Sequence, residues 1–320
     1  MSDLSFMEKL ISGDKRTIAR AITYVESEFS EAEDILKGAF TNTGKAYRIG
    51  ITGPPGAGKS TLTNQLCKYL RSQDKKVGII AVDPTSPFTG GALLGDRVRM
   101  AEIGNDEGVF IRSMATRGSL GGLSHKAVDC ADILDAAGYD YVILETVGVG
   151  QSELDIAKAA DTTIVVIVPE SGDSVQAMKA GLMEIADLYV VNKSDRPGAD
   201  QAVNALKTIL MMKEHDADTW LPSILKAIAT ENKGIEEIYK AVGVHRNYLT
   251  EKKFFTIRRQ KRYLSRVKKI VENKILHELW KAQDDTRLDK YLEKVITDGI
   301  SPYQVADEII LNFMKKFSNR

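Results

Sequence analysis

Apolar residues in the middle of this chain fall into short unbroken runs, and at its two ends into spaced stripes. The runs are Tyr47–Thr52, Val77–Val82, Val109–Ser113, Tyr141–Glu145, Thr162–Val168, Leu188–Asn192 and Leu221–Ala229. A stretch of helical period follows each. Most runs are continuously apolar rather than alternating, which predicts parallel strands covered on both faces. Their alternation with helices predicts an α/β fold: a doubly wound, mostly parallel sheet whose ligands bind beyond the carboxyl ends of the strands.

The ends read differently. Phe6, Leu10 and Ile11, then Ile18, Ala19, Ile22 and Val25, recur near a period of 3.6, so residues 1–44 are expected to form an N-terminal helical arm. Gly38 and the turn Thr41–Gly44 separate it from the first strand. After about Gly243 the strands cease. Tyr263, Leu264, Val267, Ile270, Val271, Ile275, Leu279 and Trp280 trace one face of a long helix. Ser301 and Pro302 turn the chain into a last helix with Val305, Ile309, Ile310 and Phe313 inward. The expected division is an arm at 1–44, a nucleotide domain at 45–243 and C-terminal helices at 244–320.

Composition changes little in this picture. The 320 residues are 43% hydrophobic and 28% charged, as in ordinary globular chains. Lys and Arg number 44, as do Asp and Glu, so no global basic field calls for nucleic acid or an anionic membrane. Arg258, Arg259, Lys261, Arg262, Arg266, Lys268 and Lys269 read as a solvated helix face, with a docking patch for an acidic partner as the alternative. Cys67 and Cys130 can build neither a disulfide framework nor a zinc cluster, which points to a reducing compartment. His125, His215, His245 and His277 stand at no metal-ligand spacing. The first residues lack a signal-peptide pattern, and no apolar run is long enough for a bilayer. The expectation is a soluble, cytoplasmic protein.

Candidate chemistry concentrates at the strand ends. The first run leads into Gly53-Pro54-Pro55-Gly56-Ala57-Gly58-Lys59-Ser60-Thr61, and Leu62, Leu66, Tyr69 and Leu70 open a helix at once. That is the strand, loop and helix a phosphate-binding P-loop requires. The glycines let the backbone turn its N–H groups onto phosphate oxygens, and the helix N-terminus adds its positive end. Lys59 supplies charge to the β- and γ-phosphates and Ser60 a hydroxyl for Mg²⁺. Asn192-Lys193-Ser194-Asp195 follows the sixth run. There the Asp195 carboxylate suits the guanine N1–H and exocyclic amine, with the Lys193 stem along the base. Ile228-Ala229-Thr230 resembles the Ser-Ala loop over guanine O6. Ile228 replaces the usual Ser, so the assignment rests on the Ala229 N–H.

Glu145-Thr-Val-Gly148 takes the place of the element that senses the γ-phosphate. The Gly148 N–H is positioned for that phosphate, and Glu145 for the Mg²⁺ shell or the attacking water. Asp83 follows the second run, one strand from the P-loop, where its carboxylate is expected to face the phosphates and Mg²⁺. Behind it a glycine-rich segment reads as a switch loop, with Asp96 available to Mg²⁺ or capping a helix, and Arg97 or Arg99 near phosphate.

Together these segments resemble one family. Glutamate in Glu145-Thr-Val-Gly-Val-Gly-Gln151 is similar to the third guanine-nucleotide motif of the metal- and cofactor-insertion class of P-loop GTPases. Val82-Asp-Pro-Thr-Ser-Pro, Leu-Gly-Asp96-Arg-Val-Arg-Met and Gln176-Ala-Met-Lys-Ala-Gly-Leu-Met-Glu-Ile-Ala-Asp187 resemble the MeaB/ArgK branch, the methylmalonyl-CoA-mutase-associated GTPases. The match runs from about residue 45 to 240. The resemblance implies a homodimeric GTPase, using GTP or GDP with Mg²⁺, that gates cofactor loading and protects or reactivates an adenosylcobalamin-dependent acyl-CoA mutase. Cobalamin would be reached only through that partner. It also implies that Gln176 and Lys179 lie in an additional switch loop coupling partner to hydrolysis, and that the C-terminal helices carry the dimer contact. Two departures are Ile228 and the Glu after Pro169, where a Gly is expected. The rival readings are a nickel-inserting GTPase, which would need a Cys/His site; a kinase, which would carry a substrate pocket and lid in place of Asn-Lys-x-Asp; and a scaffold with a dead site, which intact Lys59 and Ser60 argue against.

Overall fold

The computed structural model describes residues 4–83, 101–115, 125–146, 152–169, 180–212, 216, 219–281 and 285–318. Its sheet has seven strands: β1 Tyr47–Thr52, β2 Val77–Asp83, β3 Val109–Ala115, β4 Tyr141–Thr146, β5 Thr162–Ile167, β6 Leu188–Val191 and β7 Ser223–Lys226. They lie in the order β3-β2-β4-β1-β5-β6-β7. Every pairing is parallel, with Ile49 opposite Ile143 on one side of β1 and opposite Thr162 on the other. The sheet is therefore doubly wound and all-parallel, with helices before and after it. β1, β4 and β5 are buried along their whole length. That burial is what unbroken apolar runs predict.

Successive residues of each strand serve opposite faces. On one face Ile49, Ile51, Ile79 and Ile143 meet Leu62, Leu66 and Leu70 of the helix Lys59–Ser72 and Ile235, Ile238 and Val242 of the helix Ile235–Glu251. On the other, Ile80, Val142 and Leu144 share a core with the helix His125–Ala136 and with the N-terminal helices. Leu10, Ile18, Ile22 and Ile35 of the helices Phe6–Ile11, Lys15–Glu26 and Ala32–Phe40 are buried there. Each such aliphatic side chain contributes about 1.5–3 kcal/mol of transfer free energy. A third cluster joins Tyr189 and Val191 of β6 to Ala202 and Leu206 of the helix Ala199–Met211.

Polar links pin the entry to β1. Asp135 accepts hydrogen bonds from the Gly44, Lys45 and Ala46 N–H groups at 2.8, 3.0 and 2.9 Å. The buried Arg48 guanidinium pairs with Asp132 and lies 3.7 Å from Asp135.

The chain divides into two units, Met1–Phe255 and Thr256–Arg320. The helix Ile235–Glu251 runs through residue 243 within the first unit and packs against its sheet. The seventh strand is shorter than its apolar run. Pro222 has no N–H to give the ladder, and the chain turns into a 3-10 segment at Ala229–Glu231. The long helix is Phe254–Lys281, all but its first two residues in the second unit, and the last helix is Pro302–Ser318. A helix at Asp285–Ile296, absent from the predicted elements, lies between them. Val305 and Ile309 are buried as expected, whereas Ile310 is exposed.

Candidate functional site

β1 is the central strand, and the loop leaving it builds the site. Gly53 has φ 138°, and a Cβ there would lie 2.0 Å from the Val166 carbonyl oxygen of β5. No other residue lets the loop start this close to its neighbour strand. Gly58, at φ 88°, leads directly into the helix and offers no side-chain cap. The first-turn N–H groups of that helix thus lack a side-chain acceptor at the cap, the condition in which a helix N-terminus takes an anion. Pro55 and Gly56 are exposed on the loop, Pro54 and Thr61 are half-buried, and Ala57 is buried.

Lys59 is buried, and its Nζ donates to the Gly53 and Pro54 carbonyls at 2.8 and 2.9 Å. The ammonium is held across the loop, where it can meet phosphate charge. Ser60 Oγ donates to Glu145 Oε1 at 2.5 Å. Glu145 is 4% exposed, at the end of β4 beside β1. The pair joins the P-loop helix to β4, and Thr146 Oγ1 donates to Thr52 Oγ1 at 2.9 Å to tie the two strand ends. This threonine pair was not anticipated from the sequence. Its only signal was a Thr closing one central run and another just past the end of its neighbour.

The guanine-side residues converge on the same loop. Asn192 is buried; its Nδ2 donates to the Ala57 carbonyl at 2.9 Å and its Oδ1 accepts from the Ala229 N–H at 3.1 Å. Lys193, at φ 56°, reaches back so that its Nζ donates to the Gly56 carbonyl at 2.8 Å. Asp195 is exposed at the rim. Three motifs far apart in sequence are thus one hydrogen-bonded unit around the P-loop. The Ala229 N–H, expected toward a base oxygen, donates to the Asn192 carboxamide in this structure. Ile228 pairs with Lys233 to close the Ala229 loop.

Asp83 is the last residue of β2, and β4 intervenes between β2 and β1. Asp96, Arg97, Arg99, Gly148, Gln176 and Lys179 lie outside the described residues.

A P-loop after the central parallel strand, with Asn-Lys-x-Asp beyond β6 tied to it, defines a P-loop GTPase. The profile of one such family, methylmalonyl Co-A mutase-associated GTPase MeaB, matches residues 18–284. The chain belongs to that family and is a GTPase. It is 36% identical over 297 residues to GTPase ArgK of Escherichia coli, covering 91% of this chain and 89% of that protein. It is 31% identical over 330 residues to the mitochondrial methylmalonic aciduria type A homolog of Mus musculus, covering 96% of this chain and 78% of the mouse protein. The crystal structure of a LAO/AO transport system kinase superimposes with a TM-score of 0.71 at 30% identity, covering 97% of this chain and 96% of that one.

Proposed function

We propose that this GTPase uses hydrolysis as a conformational signal to an adenosylcobalamin-dependent acyl-CoA mutase, gating cofactor loading and protecting or reactivating the enzyme. The family's description supports the reading, since it names methylmalonyl Co-A mutase. So does similarity to the mouse homolog named for methylmalonic aciduria. Cobalamin belongs to the partner in this reading, and the chain acts in the cytoplasm.

The observation that carries the mechanism is the contact of Ser60 with Glu145. A hydroxyl and a buried carboxylate meet there at the mouth of the P-loop, the hard-oxygen pair that suits Mg²⁺. Ser60 and Glu145, with Asp83 or Asp96, would hold the metal, which when bound supplies neutralising charge to the β- and γ-phosphates. Lys59 leaves the Gly53 and Pro54 carbonyls to pair with phosphate oxygens. The loop N–H groups hold the remaining charge, and the Gly148 N–H contacts the γ-phosphate. Glu145 orients water, and Asn192, Lys193, Asp195 and Ala229 fix the guanine. Arg97, Arg99, Gln176 and Lys179 couple nucleotide state to the partner. Basal turnover is slow in this reading, and a partner that orders the switches raises it by about 10³ or more.

A homodimer completes the reading. The long helix has no buried residue, and Leu264, Val267, Val271 and Ile275 stand exposed along it. A stripe of this kind is a face for association, here for a second copy. The test is GTP turnover measured alone and with cobalamin-dependent acyl-CoA mutases. Acceleration by one of them is expected; a flat rate with all of them overturns the chaperone role.

A further inference from the structure

On the helix Lys59–Ser72 the residues Ser60, Asn64, Cys67 and Arg71 stand at i, i+4, i+7 and i+11, one stripe of the helix surface. The two ends of the stripe are accounted for. Ser60 donates to Glu145, and Arg71 Nε donates to both oxygens of Asp106 at 3.0 Å. Cys67 is a buried thiol within the core of that sheet face. Asn64 is the anomaly. It is 9% exposed, and its Oδ1 is fully buried with no hydrogen-bond partner among the described residues.

A carboxamide oxygen stripped of water and left unpaired costs about 1–3 kcal/mol. Leucine has the same branching and the same number of heavy atoms and carries no such cost. Unpaired buried acceptors of this kind commonly mark a place where a water or ion belongs. The nearest strongly charged centre along the stripe is one helical turn away, where Ser60 meets Glu145. Residues four apart on a helix face stand ~5–6 Å apart at Cβ. That is the span of a carboxamide plus one water.

We propose that Asn64 is a positioning residue of the metal shell: its Oδ1 accepts a hydrogen bond from a water held by the metal at Ser60 and Glu145. The inference rests on the Mg²⁺ reading of that pair. Acceptance by Oδ1 orients the water and holds it on the helix side of the site. Asn64 touches neither nucleotide nor reacting atoms. Outer-shell partners of this kind change metal affinity by about 10–100-fold.

The test uses the full chain loaded with GDP. Mg²⁺ is titrated, and its affinity is read from its effect on GDP release, beside GDP affinity in EDTA and thermal unfolding. In Asn64→Leu, Mg²⁺ affinity is expected to fall about tenfold, with GDP affinity in EDTA unchanged and melting temperature unchanged or raised. Asn64→Asp keeps an acceptor at the same place and is expected to restore Mg²⁺ affinity to the wild-type value or above. Unchanged Mg²⁺ affinity in Asn64→Leu overturns the proposal. An equal loss in both variants overturns it too, since that marks a packing effect. If wild-type GDP release ignores Mg²⁺, the metal reading of Ser60 and Glu145 fails first and carries this proposal with it.

Discussion

A Cβ placed on Gly58 would lie 2.3 Å from Nδ2 of Asn192, so the P-loop and the guanine motif are fitted to each other across that gap. The fit has two parts. Gly58 sits at φ 88°, a conformation side chains resist, and Asn192 is held in place by its bonds to Ala57 and Ala229. Gly58→Ala is therefore strained twice: a left-handed Ala costs about 1–2 kcal/mol, and Asn192 must move. We expect GDP and GTP affinities to fall together, with melting temperature reduced. Titration calorimetry and thermal unfolding on the same preparation check both.

Asn192→Ala isolates the second half of that relationship. It leaves a buried carbonyl at Ala57 and a buried N–H at Ala229 without their partner, each loss costing about 1–3 kcal/mol. The expected result is weaker binding of both guanine nucleotides by a similar factor, since the residue braces the loop whatever the phosphate number. A variant losing GTP but keeping GDP would contradict this account of the residue.

At the opposite end of the sheet, His245 closes a buried polar chain. Tyr47 Oη and Thr162 Oγ1 are 2.6 Å apart, Thr162 Oγ1 and His245 Nδ1 2.8 Å, and His245 Nε2 lies 3.2 Å from Asp187 Oδ1. The Trp220 ring packs on the imidazole at 4.7 Å and donates its Nε1–H to the Asp187 carbonyl at 2.8 Å. This chain ties the starts of β1, β5 and β6 to the helix Ile235–Glu251. His245→Ala should lose about 2–4 kcal/mol of stability through unpaired polar groups and a cavity. GDP affinity should stay near wild type, because the site is at the other strand ends. Chemical denaturation and nucleotide titration separate the two effects.

Acid should weaken the brace between Arg71 and Asp106. Hydrogen bonding from the Arg71 guanidinium holds the Asp106 carboxyl below its ordinary range, and the Gly108 N–H adds to this. A depressed folded-state value means stability that is fully present above the ordinary unfolded value and lost as pH falls through the folded one. Asp106→Asn should therefore cost about 0.5–1 kcal/mol at neutral pH, a small figure because the pair is partly solvated. The difference from wild type should shrink as pH falls below about 4. Unfolding curves at a series of pH values read it directly.

The exposed stripe on Phe254–Lys281 makes its own prediction. Wild type should run in light scattering at twice the 35.3 kDa chain mass. Val267→Glu with Val271→Glu places two charges on the stripe and should give a monomer with nucleotide affinity intact. An unchanged dimer would place the association face elsewhere.

The sheet was legible because its strands are buried on both faces, so an unbroken run such as Tyr141–Glu145 has no competing explanation. Lys59 and Ser60 were legible because a P-loop is local, its glycines, lysine and hydroxyl all lying within Gly53–Ser60. The Asn192 bridge was hidden because its partners, Ala57 and Ala229, lend only main-chain atoms, which leave no mark in sequence. Ala229 illustrates the same limit, as its N–H was visible but its acceptor was not. The shortening of β7 was encoded in Pro222, which an apolar run conceals. In the second unit, Leu288, Leu292 and Val295 carry a helical spacing, but charges between them dilute it, and the helix Asp285–Ile296 went unpredicted.

The measurement that bears most directly on the whole account is calorimetric titration of the full chain with GTP, GDP and ATP in the presence of Mg²⁺. A cradle of main-chain N–H groups closed by Lys59 and read on its guanine side by Asp195 should bind both guanine nucleotides and leave ATP unbound. Failure of GTP and GDP to bind, or ATP held as tightly as GTP, would contradict it.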